Sequence, residues 1–377
     1  PMRFIKHVYR IHTYAQDGRL FEGKTPVSAF LNSSYDGSFI AGLMELRYIQ
    51  SLPVERIINY FESHGFTLKK PTAHKLMEKA SSLFENLYKC IRQTALSDPY
   101  KAADETYYKI LVPEKNSKGK GVRKGYLWVV VGINTRMIYL LYDDGSRSEK
   151  VILNELGGCK GIIQSDGYSP YRKLESDAYP HITRIPCLQH IKRKFIDCGE
   201  DEPDAKRIVE LINTLYQNEH KHKIGVDGWT VEQNLVHRKK YAPDILGEIK
   251  DVLDDIEERG DLLPKSELKE AITYLRNEWN AVVDIFNYGD TYLDNNIVER
   301  MNRYISLSRK NSLFFGSHKG AERGAILYTI ALTCRMNKVN LFEYLTDVIN
   351  RTAEWQPNTP LEKYRLLLPD RWEKAND

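Results

Sequence analysis

The run Leu127 to Ile133 (LWVVVGI) is the most apolar stretch of the chain, and it is only seven residues long. A bilayer-crossing helix needs ~20 apolar residues, so this run cannot span a membrane. It predicts a strongly apolar strand over Tyr126 to Ile133. Asn134-Thr135-Arg136 predicts a turn, after which Met137 to Tyr142 (MIYLLY) pairs back. Upstream, Ala103 to Leu111 (ADETYYKIL) reads as another strand. Three strands joined by short connections predict an antiparallel meander.

The period then changes. A short helix is expected over Ser148–Leu156, and Gly161 to Ser165 (GIIQS) predicts a buried strand of the parallel type ending at Asp166. Residues 169–176 read as helical, His181 to Pro186 as a strand, and Leu188 to Asp197 as a helix. From Pro203 to Tyr288 the pattern is almost wholly helical, interrupted near Gly225–Gly228 and at Gly260. Helices follow over Ile297–Leu307, Ala321–Met336 and Leu341–Ala353, with a loop at Asn311–Gly320. The order β-β-β-α-β-α-β-α, a helical insertion and a further helix is that of an α/β, ribonuclease-H-like mixed-sheet core.

Ahead of this core, residues 1–36 show no strong period and read as an irregular segment. With Pro1 as first residue, a trimmed N-terminus is one expectation. From Ser38 to Ser63 the pattern is helical, with Val54, Ile57, Ile58 and Phe61 forming one apolar stripe. Leu52-Pro53 separates two helices, and His64-Gly65 ends the second. Pro71 suits the first turn of a third helix running on toward Ala95. This outlines a helix-turn-helix that would offer Lys69, Lys70, Thr72, His74 and Lys75 to DNA; an ordinary three-helix packing unit is the other reading.

Net charge is only +4, but its distribution is uneven. From Glu299 to Lys338 eight Lys/Arg face two acids, whereas Glu200 to Asp261 holds sixteen acids and nine bases. A basic segment with Asn, Ser and aromatics suits phosphate contact, and a solvated helix face is the blander alternative. Lys115, Lys118, Lys120, Arg123 and Lys124, set among Gly119, Gly121 and Gly125, read as a mobile hairpin tip. The five cysteines are scattered without a C-x-x-C, which fits a reducing cytoplasm. No apolar N-terminal segment predicts a secretory signal.

Three acids stand at informative places: Asp104 in the first core strand, Asp166 at the end of the fourth, and Glu299 in a late helix. Parallel α/β sheets set their sites at strand carboxyl ends. Convergent carboxylates can hold two magnesium ions ~3.5–4 Å apart for in-line phosphoryl transfer. Cys187 and His190 have C-x-x-H spacing with Cys198 nearby, so a zinc site is one reading. The other is a helix start that turns His190, Arg193 and Lys194 toward the active site or DNA. Arg303 shares the helix face of Glu299 at i+4 and would meet the scissile phosphate or pair with Glu299; Arg300 lies beside it. Asn295 and Asn296 would cap that helix or meet DNA. Arg309, Lys310 and Asn311, followed by Phe314 and Phe315, interleave bases with aromatics, for stacking on frayed bases or for core packing. No Arg/His/Tyr constellation supports a tyrosine recombinase.

Four ordered motifs carry a resemblance. ADETYY (103–108), SDGYSPY (165–171), CLQHIKRKF (187–195) and the run Asp294 to Arg351, with D-N-N-x-x-E-R, R-K-N-x-L-F-x-G-S and L-Y-T-x-x-x-T-C, resemble bacterial insertion-sequence transposases of the sixty-six family. SLPVERI (51–57) and the helical region around it are similar to the family's N-terminal part. The resemblance implies a DDE transposase with Asp104, Asp166 and Glu299 as metal-binding catalytic triad and Mg2+ or Mn2+, two ions, as cofactor. It implies cleavage at element ends and strand transfer into target DNA, by a homo-oligomer on DNA in the bacterial cytoplasm, associated with the nucleoid. A non-catalytic DNA-binding remnant, or another ribonuclease-H-like nuclease, is the alternative. Family members carry a cysteine-containing motif near their N-terminus, whereas this chain has no cysteine before Cys90. The expected organisation is an N-terminal segment (1–36), a helical DNA-binding region (37–97), a catalytic core (98–200 and 291–320), a helical insertion (201–290) and a C-terminal helical region (321–377). The expected DNA contacts are Lys70, Lys75, His190, Arg193, Lys194, Arg300, Arg303, Arg309, Lys310 and Asn311.

Overall fold

A computed structural model describes residues 3–23, 28–30, 33–115, 119, 121–260, 262–356 and 358–374. Lys118 and Lys120 of the expected hairpin tip lie outside the described residues.

The N-terminal segment departs from expectation. Thr13–Gln16 (β1) and Arg19–Glu22 (β2) form an antiparallel hairpin around Asp17-Gly18. Both turn residues have positive φ, 50° and 70°, as a two-residue turn of the mirror-image type requires. Every residue of the two strands is exposed, so no buried face betrays the hairpin by alternation.

Four helices follow: Gly37–Tyr48 (α1), Val54–Ser63 (α2), Lys70–Leu83 (α3) and Glu85–Ser97 (α4). Asp36 caps α1 by accepting from the Phe39 amide. The stripe read in α2 is buried at Val54, Ile57 and Phe61. The single helix expected beyond Pro71 is two, because Phe84 (φ −92°, ψ 1°) leaves helical geometry and packs its ring into the core.

The core sheet comprises Tyr100–Leu111 (β3), Val122–Gly132 (β4), Met137–Leu141 (β5), Gly161–Ser165 (β6) and Ile182–Pro186 (β7), in the spatial order β5-β4-β3-β6-β7. β4 runs antiparallel to β3 and to β5, whereas β6 runs parallel to β3 and to β7. The first strand of the core in sequence is therefore its middle strand in space. Arg123 and Lys124, expected at a loop tip, are β4 residues paired with Ile110 and Lys109. Helices Glu149–Leu156 (α5), the short Ser169–Arg172 (α6) and Leu188–Asp197 (α7) alternate with the later strands.

The insertion consists of Pro203–Glu219 (α8), Val231–Arg259 (α9) and Glu267–Ile285 (α10). A capping box at Thr230 and Gln233 starts α9, and Gly260 at φ 65° ends it. These helices bury one apolar cluster with α7, separate from the larger cluster around the sheet. Arg238 of α9, fully buried, anchors the insertion. It pairs with Glu219 of α8 and donates to the carbonyls of Ile285 and Thr291.

Helices Asn296–Asn311 (α11), His318–Met336 (α12), Leu341–Thr352 (α13) and Leu361–Arg365 (α14) complete the chain. α12 closes the β5 edge: Thr329 Oγ1 accepts from the Leu140 amide, and Thr333 Oγ1 accepts from the Ile138 amide and donates to the Ile138 carbonyl. An edge strand covered by side-chain partners cannot pair with another chain. No described helix is long and apolar enough to cross a membrane.

Candidate active site

β3 is buried through Ala102 and Ala103 and reaches partial exposure at Asp104. β6 does the same, buried through Ser165 and opening at Asp166. The two strands are paired in parallel as far as Ala102 and Gln164. Two residues further on each, that register sets Asp104 beside Asp166 where the pairing stops, Asp166 just past the carboxyl end of β6 and Asp104 within β3, which runs on to Leu111, with both side chains toward one face.

α11 lies across this edge through residues at i, i+4 and i+7. Asn295, just ahead of its first turn, donates from Nδ2 to the Ala103 carbonyl at 3.0 Å. Asn302 donates from Nδ2 to Asp104 Oδ2 at 2.6 Å. Glu299 stands between them on the same helix face. Asp104 Oδ1 also accepts from the Glu105 amide at 2.8 Å. Asp166 Oδ1 accepts from the Tyr168 amide at 3.1 Å. Behind Asp166, the Gly167 amide donates to Tyr274 Oη at 2.9 Å. A Cβ on Gly167 would stand 2.5 Å from that oxygen, which is why glycine is needed there.

Burial first, then the neighbouring carboxylates of Glu105 and Asp166, push the Asp104 carboxyl up to about 8. Burial likewise raises Glu105, whose Oε1 takes a hydrogen bond from Arg147 at 2.5 Å. Arg147 in turn lies 4.2 Å over the Tyr168 ring. The region thus gathers acids beside two cations that are already engaged, Arg147 by Glu105 and Arg184, which donates to the Asp166 carbonyl, by Glu175 and Glu278. Such a set of hard oxygen donors fits a divalent cation such as magnesium.

Glu299 faces His190 and, among the described residues, does not pair with Arg303. Its Oε1 stands 3.9 Å from His190 Nδ1, and Arg300 and Arg303 are exposed with no ion pair among the described residues. The donor atoms of Cys187, His190 and Glu299 all lie within 4.8 Å of one another. The structure therefore brings Glu299 to the C-x-x-H pair, while Asp104 and Asp166 form the adjoining half of the region. Cys198, at the far end of α7, donates to the Lys194 carbonyl and does not join them.

The other expected contacts divide. Arg193 and Lys194 are exposed on α7, and Lys310 and Asn311 are exposed at the end of α11. Arg309 instead turns onto β3, with Nη1 donating to the Tyr107 carbonyl at 2.7 Å and its guanidinium 4.0 Å over the Tyr107 ring. Lys70 pairs with Glu55 of α2, and Lys75 is exposed on α3. Phe315 is buried against Tyr108, whereas Phe314 is exposed. Sequence reasoning missed Glu105, Arg147 and Asn302. The spacing 295, 299, 302 is a helix-face signal that was available for Asn302.

Residues 32–323 match the model of the transposase IS66 family. The chain belongs to this family. The IS66 match contains β3, β6, α7 and α11, and so every residue of the candidate site. Among curated proteins, this IS66 family member is similar to the uncharacterized protein y4jD of Sinorhizobium fredii, 26% identical over 346 residues, covering 88% of this chain and 65% of the relative. It is also similar to the uncharacterized protein y4hP of the same organism, 25% identical over 347 residues, covering 86% of this chain and 60% of the relative. The chain thus spans less than two thirds of the length of these two relatives.

Proposed function

We propose that this chain is a DNA transposase whose ribonuclease-H-like core cuts phosphodiester bonds at element ends and joins them to target DNA. Family membership supports the transposase reading. The sheet order β5-β4-β3-β6-β7, with the first core strand central, supports the fold assignment. The observation that carries the catalytic reading is Asp104: a carboxyl beside Asp166, pushed up to about 8 by burial and by like charge. Buried carboxylates gathered in this way favour a cation among them.

Asp104, Asp166 and Glu299 would hold Mg2+ or Mn2+, two ions in all. When bound, these ions lower the pKa of an attacking oxygen and stabilise the leaving oxygen of an in-line displacement. Asn302 holds Asp104 in one orientation, and the Tyr168 amide does the same for Asp166. Arg300 and Arg303 on α11, Arg193 and Lys194 on α7, and Lys310 at the end of α11 are exposed for phosphate contact, and Asn311 would join them once its Nδ2 leaves the Ser51 carbonyl. Lys75, and Lys70 once released from Glu55, extend the surface onto α3. His190 faces the same site from α7, 3.9 Å from Glu299. Arg309 acts from within by tying α11 to β3. The protein acts on DNA as a homo-oligomer, because two element ends must be joined to one target.

The test is strand cleavage and strand transfer on DNA carrying an element end, in Mg2+ or Mn2+. Wild-type protein should nick the end and join it to target, and Asp166→Asn should do neither. Cleavage without joining would mark another nuclease of this fold. DNA binding without cleavage would mark a non-catalytic remnant.

A further inference from the structure

His190 Nδ1 is buried and makes no hydrogen bond among the described residues, although Glu299 Oε1 faces it at 3.9 Å. That separation is too long for a hydrogen bond. The thiol of Cys187, almost fully buried, completes a group whose donors lie within 4.8 Å of one another. A tetrahedral ion with bonds of 2.0–2.3 Å to sulfur, nitrogen and oxygen would hold its donors roughly 3.3–3.6 Å apart, so only a small contraction is needed.

We propose that Cys187 Sγ, His190 Nδ1 and a Glu299 carboxylate oxygen bind a single transition-metal ion of the zinc class, with a fourth position open to water. The donor set selects the ion: thiolate and imidazole suit zinc or cobalt, whereas magnesium takes oxygen. Two elements hold the ligands. Cys187 immediately precedes α7, and His190 sits in the first turn of that helix. Glu299 comes from α11, and the junction between the helices is fixed because the Asn295 amide donates to Cys187 Sγ at 3.2 Å. A hydrogen bond of this kind orients a ligand and stabilises its metal-bound form. Binding forms a metal–sulfur bond and releases the thiol proton to solvent. The site goes beyond the proposed function: it stands whether or not the chain transfers DNA strands, and it takes one Glu299 oxygen, leaving the other for the ions that Asp104 and Asp166 would hold.

The probe is cobalt(II) alone, added to the full chain after removal of metals with a chelator. One equivalent should give a thiolate-to-cobalt charge-transfer band in the near ultraviolet, together with visible bands of tetrahedral cobalt. One equivalent of zinc should abolish them. Cys187→Ser should remove the charge-transfer band, His190→Ala should weaken binding at least about tenfold, and Cys198→Ser, a thiol outside the group, should retain both band and affinity. Absence of the band in wild-type protein overturns the proposal, as does its survival in Cys187→Ser. If Cys187→Ser does not fold, His190→Ala decides: its side chain is a third exposed, and unchanged cobalt affinity in that folded variant overturns the proposal.

Discussion

Asn302 donates a hydrogen bond of 2.6 Å to Asp104 across 198 residues of sequence. An amide at this place donates to the Asp104 carboxyl and works against the rise that burial and the neighbouring acids impose on it; a second acid there would add to that rise.

Removing that amide tests the relationship. Asn302→Ala should leave the protein folded, at a cost of about 1–3 kcal/mol in chemical unfolding. It should weaken Mn2+ binding and DNA cleavage about 10–100-fold. Asn302→Asp, which sets a third acid against Asp104, should lower DNA cleavage further in low Mg2+ and recover part of it as Mg2+ is raised.

Asp104 gives a pH prediction. Its carboxyl is raised from 3.8 to about 8 in the fold. Between those values the unfolded chain loses this proton while the folded chain keeps it, so folding loses stability as pH rises. In chelator-treated protein, Asp104→Asn should therefore gain stability relative to wild type as pH goes from 5 to 8. Thermal unfolding of both proteins across that range checks the sign, and Mg2+ should narrow the gap.

Arg238 predicts a stability effect away from the chemistry. Its guanidinium is fully buried and neutralises Glu219 while holding the Thr291 carbonyl. Arg238→Ala should cost about 3–5 kcal/mol in urea unfolding, because a partly buried carboxylate is left without its cation. Restoring stability with a second change, Glu219→Gln, would show that the uncompensated charge is the cause.

DNA affinity should fall steeply with salt. Arg300→Ala and Arg303→Ala should each reduce the slope of log affinity against log salt by about 1. Arg309→Ala should instead lower stability with little change in slope, because its guanidinium rests on Tyr107.

The strongest periods were the most legible. Gly161–Ser165 and Leu188–Asp197 have in the structure the bounds their patterns predict. The β1–β2 hairpin was missed because a strand exposed on both faces has no alternation; its Asp-Gly turn was the one available cue. The break at Phe84 was missed because neither Gly nor Pro marks it and an apolar side chain drives it. In the site, Asp104 and Asp166 are visible as acids on strands, but their adjacency comes from parallel pairing of β3 with β6, which no local pattern encodes. The meeting of Glu299 with Cys187 and His190 depends on how α11 docks against α7, a packing outcome beyond the reach of spacing.

The insertion α8–α10 separates the strands bearing Asp104 and Asp166 from the helix bearing Glu299 and Asn302. At about 5–20 residues per second, a ribosome reaches Glu299 about 10–40 s after Asp104. Throughout that interval the nascent chain has two of its acids but neither the third nor the amide that steadies the first. On the proposed reading, a chain ordered in this way stays harmless to nearby DNA while it is being made, and a message cut short within the insertion yields a protein with no complete cutting centre.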